Sequence, residues 1–198
     1  GVVHYQHGRS LLHVLIKLKD TAGLERALEL GAHASSPTLY GGKTPLHEAA
    51  EDNNVECMAL LLRFGADLEE RNNGGETALH CASEHMEASA WLLDHGADLE
   101  AKDKKGKTPV FHAALGHWST LDLFLRRGAD VSVVDQAGDT VLAQAIHSED
   151  LSCVLRVLEH GCDVNQRDGG QWTPLQLAIN RTNRQAFDAL LAYGASVA

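Results

Sequence analysis

Apolar residues return at three- and four-residue spacing in a series of short segments: Leu24, Ala27 and Leu28; Met58, Leu61 and Leu62; Leu121, Phe124 and Leu125; Val154, Val157 and Leu158; Phe187, Leu190 and Leu191. That spacing lines them along one face of a helix, so each segment predicts a helix with its apolar face turned inward. The segments run into a glycine, as in Leu60-Leu-Leu-Arg-Phe-Gly65 and Trp91-Leu-Leu-Asp-His-Gly96. A residue free to adopt positive φ closes a helix C-terminus there. Between each such glycine and the next apolar phrase lie polar stretches such as Asp103-Lys-Lys-Gly106 and Asp135-Gln-Ala-Gly138. Their composition predicts protruding β-turns.

A second kind of helix is announced by a recurring phrase: Thr44-Pro-Leu-His-Glu-Ala49, Thr77-Ala-Leu-His-Cys-Ala82, Thr108-Pro-Val-Phe-His-Ala113, Thr140-Val-Leu-Ala-Gln-Ala145 and Thr173-Pro-Leu-Gln-Leu-Ala178. The threonines lie 33, 31, 32 and 33 residues apart, and a degenerate copy, Ser10-Leu-Leu-His-Val-Leu15, precedes Thr44 by 34. Gly31, Gly65, Gly96, Gly128, Gly161 and Gly194 keep the same beat. Two phased series define a tandem repeat. Thr at the N-cap accepts a hydrogen bond from a first-turn N–H, and Pro after it tolerates losing its own N–H.

The phrase T-P-L-H-x-A, the Gly-Ala-Asp that follows the second helix at Gly65, Gly96 and Gly128, and the D-x-x-G-x-T turn resemble the ankyrin repeat. The resemblance covers the chain from about Tyr5 to Ala198. It implies an all-α solenoid of stacked helix-turn-helix pairs with β-turn fingers, curved into a right-angled trough. The repeats fall at about 5–37, 38–70, 71–101, 102–133, 134–166 and 167–198, as a single array. It also implies structural roles for His13, His47 and His80 at the signature position, bracing neighbouring turns.

The departures are specific. Repeat three lacks two residues between its helices, around Glu84-His85-Met86, and repeat four lacks one near Leu115-Gly116. Both predict tighter inter-helix turns. The finger Ser35–Gly42 is one residue longer and lacks the usual Asp, and the last finger carries Gln171 where Gly is expected, followed by Trp172. Tyr5–Gly8 places a glycine where a finger would, and Leu177 and Ile179 are apolar where a terminal cap should be polar, so the array is expected to continue in both directions.

Composition narrows the function classes. No apolar run approaches the roughly 20 residues of a membrane-spanning helix, so no direct membrane insertion is expected. The four cysteines form no C-x-x-C pair or dense framework, which fits free thiols and a cytoplasmic or nuclear location. A formal charge of −10 disfavours a nucleic-acid backbone as partner. Neither C-x₂₋₄-C with H-x₃₋₅-H nor H-E-x-x-H occurs, and no catalytic constellation can be assembled from residues that all have repeat-determined places. No metal, no cofactor and no enzymatic activity are expected. Gly41-Gly-Lys-Thr44 and Gly106-Lys-Thr108 look like the tail of a phosphate loop, but the first glycine is replaced by Pro37 and Ala101, and both read as finger-to-helix junctions.

The expected function is protein or peptide recognition by a monomeric module of a larger adaptor or regulatory protein, with a purely architectural spacer as the alternative. Stacked repeats leave fingers and first helices as a concave binding face. Its variable positions are, early in the chain, Tyr40, Glu48, Glu51 and Asp52, then Glu76, Glu84 and His85. Lys104, Lys105, Lys107, His112 and Leu115 follow; Asp139, Gln144, His147, Trp172 and Arg181 complete the set. The grading from acidic to basic to aromatic suits a partner with basic residues, then an acid, then an apolar anchor; a plainly solvated face is the other reading. Trp91 and Trp118 are expected to pack between repeats. Leu158-Glu-His-Gly-Cys-Asp-Val-Asn165 resembles the ankyrin pattern modified by an asparaginyl hydroxylase, with Asn165 the acceptor; the plainer reading is an Asn bracing its finger.

Overall fold

The computed structural model describes residues 10–197; the expected finger at Tyr5–Gly8 lies outside them. Among the described residues, twelve α-helices follow one another: α1 (Leu11–Lys17), α2 (Thr21–Glu29), α3 (Pro45–Glu51), α4 (Val55–Arg63), α5 (Ala78–Cys81), α6 (Met86–Asp94), α7 (Pro109–Ala113), α8 (Trp118–Arg126), α9 (Val141–His147), α10 (Leu151–Glu159), α11 (Pro174–Asn180) and α12 (Arg184–Ala192). They are an all-α solenoid of helix pairs joined by β-turn fingers. Among the described residues, β-pairing is confined to one bridge, Val134 with Thr140.

The described residues fall into two compact units, divided between Lys104 and Lys105. In the first, α3 packs against α1 and α5 while α4 packs against α2 and α6. Leu12, Ile16, Leu46, Met58, Leu61, Leu79 and Leu92 are fully buried there. In the second, α9 packs against α7 and α11, and α10 against α8 and α12. Phe111, Leu121, Phe124, Leu142, Val154 and Leu190 form its core.

The threonines begin the first helices by two devices, which Thr173 combines because its own N–H also donates to Gln176 Oε1 at 3.0 Å. Thr140 and Thr173 accept hydrogen bonds from the N–H of Ala143 and Gln176 through their hydroxyls. At Thr44 and Thr77 the third residue is a histidine, and its Nδ1 accepts the threonine's own N–H, at 3.2 Å from His47 and 3.1 Å from His80. The same Nδ1 meets the hydroxyl at 2.7 Å for Thr44 and 2.9 Å for Thr77. At the other end, Gly65 adopts φ +83° and the N–H groups of Gly65 and Ala66 return to Leu62 and Leu61 carbonyls, closing α4.

Most inter-helix turns contain one left-handed residue: Lys19, Asn53, Gly116, Glu149 or Thr182. Repeat three has none. The two missing residues are absorbed by a 3-10 turn, Ala82–Glu84, which runs straight into His85, the N-cap of α6. The tighter turn expected there is present. In repeat four, Gly116 at φ +115° carries the shortened link.

Candidate functional site

Four of the fingers are each held by a side-chain oxygen. Asp135 Oδ1 accepts from the N–H groups of Ala137 and Asp139, both at 2.9 Å, and Asn72 Oδ1 accepts from Gly74 and Glu76. In the longer first finger, which has no Asp, the Thr38 hydroxyl accepts from Lys43 N–H at 3.0 Å. In the last finger Asp168 Oδ1 accepts from Trp172 N–H at 2.8 Å. Gln171, occupying the expected glycine position, is forced to φ +66°. Arg167 holds that strained residue by donating to its carbonyl.

Neighbouring fingers join through their backbones. Asn73 N–H donates to Gly41 O, Lys104 N–H to Gly74 O, and Gln136 N–H to Lys105 O, each at 2.8 Å. The signature histidines add a longer reach: His13 Nε2 donates to Lys43 O and His47 Nε2 to Glu76 O, both at 2.9 Å. Since Thr44 N–H can only donate and Glu76 O can only accept, His47 is fixed as the neutral Nε2–H tautomer. Burial lowers its pKa below the ordinary histidine value, against the raising effect of the Glu76 carbonyl.

This framework leaves a set of side chains on the fingers and first helices. In the first unit Tyr40, 72% exposed, stands on its finger next to exposed Leu39. Glu48 departs from the expected partner-facing role: it is only 2% exposed and pairs with Lys17 at 3.2 Å. The fourth residue of this first helix turns toward its neighbour, so the carboxylate serves the fold. Asp52 pairs with the same Lys17 at 2.6 Å, and Glu51 with Lys43 at 2.7 Å. Lys17 was missed by sequence reasoning, although it holds in α1 the position that Glu51 holds in α3; the degenerate Ser10 phrase obscured that register. Glu76 accepts from Asn72 Nδ2, Glu84 is exposed, and half-buried His85 meets Glu51 O through Nε2 at 3.0 Å. Lys104 leaves its side chain exposed. Half-buried Cys81 lies in this region with its thiol pushed up to about 12 by burial, which makes it a poor nucleophile.

In the second unit Lys105 is exposed, while Lys107 turns back to donate to Gln144 Oε1 at 2.9 Å and lies 5.8 Å from the Phe111 ring. His112, Asp139 and His147 are half-buried; Leu115 and Arg181 are exposed. Burial, with Arg181 next in weight, lowers the pKa of His147. Trp172 is 45% exposed, with its indole edge against Gly170. Trp118 borders the next repeat, sharing a shallow cleft with Ser152, Leu155, Arg156 and Glu159 of α10, and it stays 49% exposed there. Trp91 is half-buried and stacks on His95 with ring centroids 3.8 Å apart. Asn165 Oδ1 accepts from Ser196 N–H at 2.8 Å. Glu69 makes the same brace to Asp98 N–H at 2.9 Å.

Among the described residues, no helix is long and apolar enough to cross a membrane. Charged, aromatic and histidine side chains thus stand on a backbone-bonded frame.

The family model described as "Ankyrin repeats (3 copies)" matches residues 11–103, 65–135, 90–168 and 110–198. B-cell lymphoma 3 protein homolog of Mus musculus is 34% identical over 171 residues, 81% of this chain and 38% of that protein. Ankyrin repeat and SOCS box protein 16 of Mus musculus is 34% identical over 202 residues, 91% of this chain and 45% of that protein. The chain thus spans less than half the length of either relative. The crystal structure of the ankyrin repeat domain of Bcl-3, a member of the IkappaB protein family, is similar with a TM-score of 0.82 and 29% identity, covering 96% of this chain and 89% of that one. The phased threonines and glycines, the histidine braces and the family match agree: this chain belongs to the ankyrin repeat family.

Proposed function

We propose that this chain is a non-catalytic recognition module that binds a partner peptide or protein domain across its fingers and first helices, as part of a larger adaptor or regulatory protein. Ankyrin repeats act generally as protein-interaction modules. One observation carries the reading here. Tyr40 and Trp172 are 72% and 45% exposed on fingers whose shape is already secured by backbone and Thr38 or Asp168 hydrogen bonds. Large exposed aromatics on fingers with an ordered backbone are inexpensive anchors, because binding does not have to order the loop that carries them.

The charge pattern refines the expected partner. Lys17 already pairs with both Glu48 and Asp52, and Lys43 with Glu51, so two cations offset most of the charge of these three carboxylates. The first unit therefore favours an apolar side chain near Leu39 and Tyr40 over a purely basic one. Lys104 and Lys105 offer exposed positive charge for an acidic residue.

The test is affinity purification of the partner, followed by calorimetric titration against wild type, Trp172→Ala and Trp172→Ala combined with Glu51→Lys. Circular dichroism should be unchanged, while losing one aromatic anchor should weaken binding by about 2 kcal/mol, roughly 30-fold. Unchanged affinity in the double variant refutes this surface.

A further inference from the structure

Helices α8 and α10 pack on each other, and each divides into two stripes. Leu121, Phe124 and Leu125 of α8 and Val154, Val157 and Leu158 of α10 are buried. The other stripe of α8 is Trp118, Asp122 and Arg126, at i, i+4 and i+8; that of α10 is Ser152, Leu155, Arg156 and Glu159, at i, i+3, i+4 and i+7. Trp118 and the α10 stripe line one shallow cleft. A half-exposed tryptophan beside a half-buried leucine is apolar surface that the core of this unit does not use.

The charges around the cleft are ordered and uneven. Asp122 Oδ2 accepts from Arg126 Nε at 2.9 Å, and its Oδ1 faces Arg156 Nε at 3.4 Å. Arg156 also donates to Glu159 Oε2 at 2.9 Å. The Asp122 side chain is only 15% exposed and that of Arg126 71%, so solvent meets the cation while the shared anion is covered. Arg127, the C-cap of α8, is exposed next to them. The Trp118 indole N–H and the Ser152 hydroxyl, both on exposed residues, add two further donors to the lining. This donor-rich patch stands on a chain whose formal charge is −10.

We propose that the cleft docks an acidic, apolar-anchored segment of a partner protein: a Leu or Phe side chain packs between Trp118 and Leu155, and a neighbouring carboxylate takes the outer N–H groups of Arg126 and Arg156. Charge complementarity selects that occupant. A basic segment would meet guanidinium groups, and Glu159, the carboxylate in the lining, is already paired with Arg156. Tryptophan and arginine are the side chains that most often dominate interface energies, and Asp122 holds both arginines in place before any partner arrives. The cleft lies wholly on second helices, apart from the fingers and first helices proposed above as the recognition surface. Two partners are therefore accommodated at once, and either surface can fail its test without the other.

Fluorescence anisotropy on the 198-residue chain tests this, with a fluorescein-labelled peptide in which glutamates alternate with Leu and Phe as the probe. Saturable binding is expected; Trp118→Ala should weaken it at least about tenfold and Arg126→Gln about threefold. Both side chains are exposed, so circular dichroism should not change in either variant. Tyr40→Ala combined with Trp172→Ala should leave this affinity unmoved, and a loss there instead overturns the proposal. It is also overturned if the peptide does not bind, if Trp118→Ala binds it equally well, or if lysines in place of the glutamates bind as tightly. Equal binding of an all-glutamate peptide overturns it too, since charge alone would then suffice. So does a concentration-dependent dimer in sedimentation that Trp118→Ala abolishes, which would make a second copy the occupant.

Discussion

Replacing His47 separates two functions of one side chain. Its Nδ1 accepts from Thr44 N–H at 3.2 Å, capping α3, and its Nε2–H reaches Glu76 O at 2.9 Å in the next finger. The ring is 1% exposed, so neither partner left behind is readily solvated. His47→Ala deletes both bonds and leaves a void; at about 1 to 3 kcal/mol for each of the two groups left unsatisfied, the cost should be roughly 2 to 6 kcal/mol. His47→Gln should cost only about 1 kcal/mol, a typical net hydrogen bond. Gln can take the cap, as Gln176 does by accepting from Thr173 N–H at 3.0 Å, and loses only the reach to the next finger. The two substitutions also differ from wild type in pH dependence. Burial depresses the folded-state pKa of His47 below the ordinary 6.5, so the unfolded chain takes up a proton that the folded chain refuses. The associated stability is complete above about 6.5 and is lost as pH falls from there toward the folded-state value. Urea denaturation followed by circular dichroism between pH 8 and pH 5, roughly bracketing histidine titration, measures both effects. Equal losses for Gln and Ala, or an undiminished acid loss in His47→Gln, would refute the assignment.

Gln171→Gly should stabilise the chain by about 0.5 to 1 kcal/mol by relieving φ +66°, whereas Gly75→Ala should destabilise it by more than about 1 kcal/mol. A Cβ at Gly75 would stand 2.8 Å from Lys104 N, and urea midpoints report both changes. Thr120→Val should raise stability by about 1 kcal/mol, because the Thr120 hydroxyl is fully buried with no hydrogen-bond partner. A lowered melting temperature would show that the hydroxyl is satisfied in solution. Lys17→Met should destabilise by about 1 to 3 kcal/mol by removing the cation from Glu48, whose side chain is 3% exposed, and Lys17→Met with Glu48→Gln should recover much of that. A double variant no more stable than the single one would argue against the pair.

The fold was legible because each landmark does one local job wherever it occurs. Thr, Pro and Gly act on the backbone beside them, and the apolar spacing selects the buried face, so period and helix order follow from residue identity. The two missing residues in repeat three likewise predicted a tighter turn, found as the 3-10 turn Ala82–Glu84. The candidate surface was less legible because exposure depends on contacts between repeats. Glu48 and Glu51 are both charged residues of one helix, yet one is buried against Lys17 and the other pairs with Lys43 in the open. Trp118 shows the same dependence: at the first position of α8 it borders α10 of the next repeat, yet it stays 49% exposed, a degree of burial that spacing alone does not set. Neither outcome is contained in the spacing of a single repeat.

The 3-10 turn of repeat three also determines where this chain can be cut or lengthened. A protease must draw a stretch of backbone into an extended form, and an inserted segment needs two ends that can part without strain. The left-handed residues Asn53, Glu149 and Thr182 sit in links with residues between helices to give up. Ala82–Glu84 has no such reserve: Ser83 Oγ is tied to Leu79 O and Ser89 Oγ to Ala82 O, so opening the turn unthreads the start of α6. Limited digestion should therefore spare this link, and a reporter sequence will be better tolerated in the other turns than between α5 and α6.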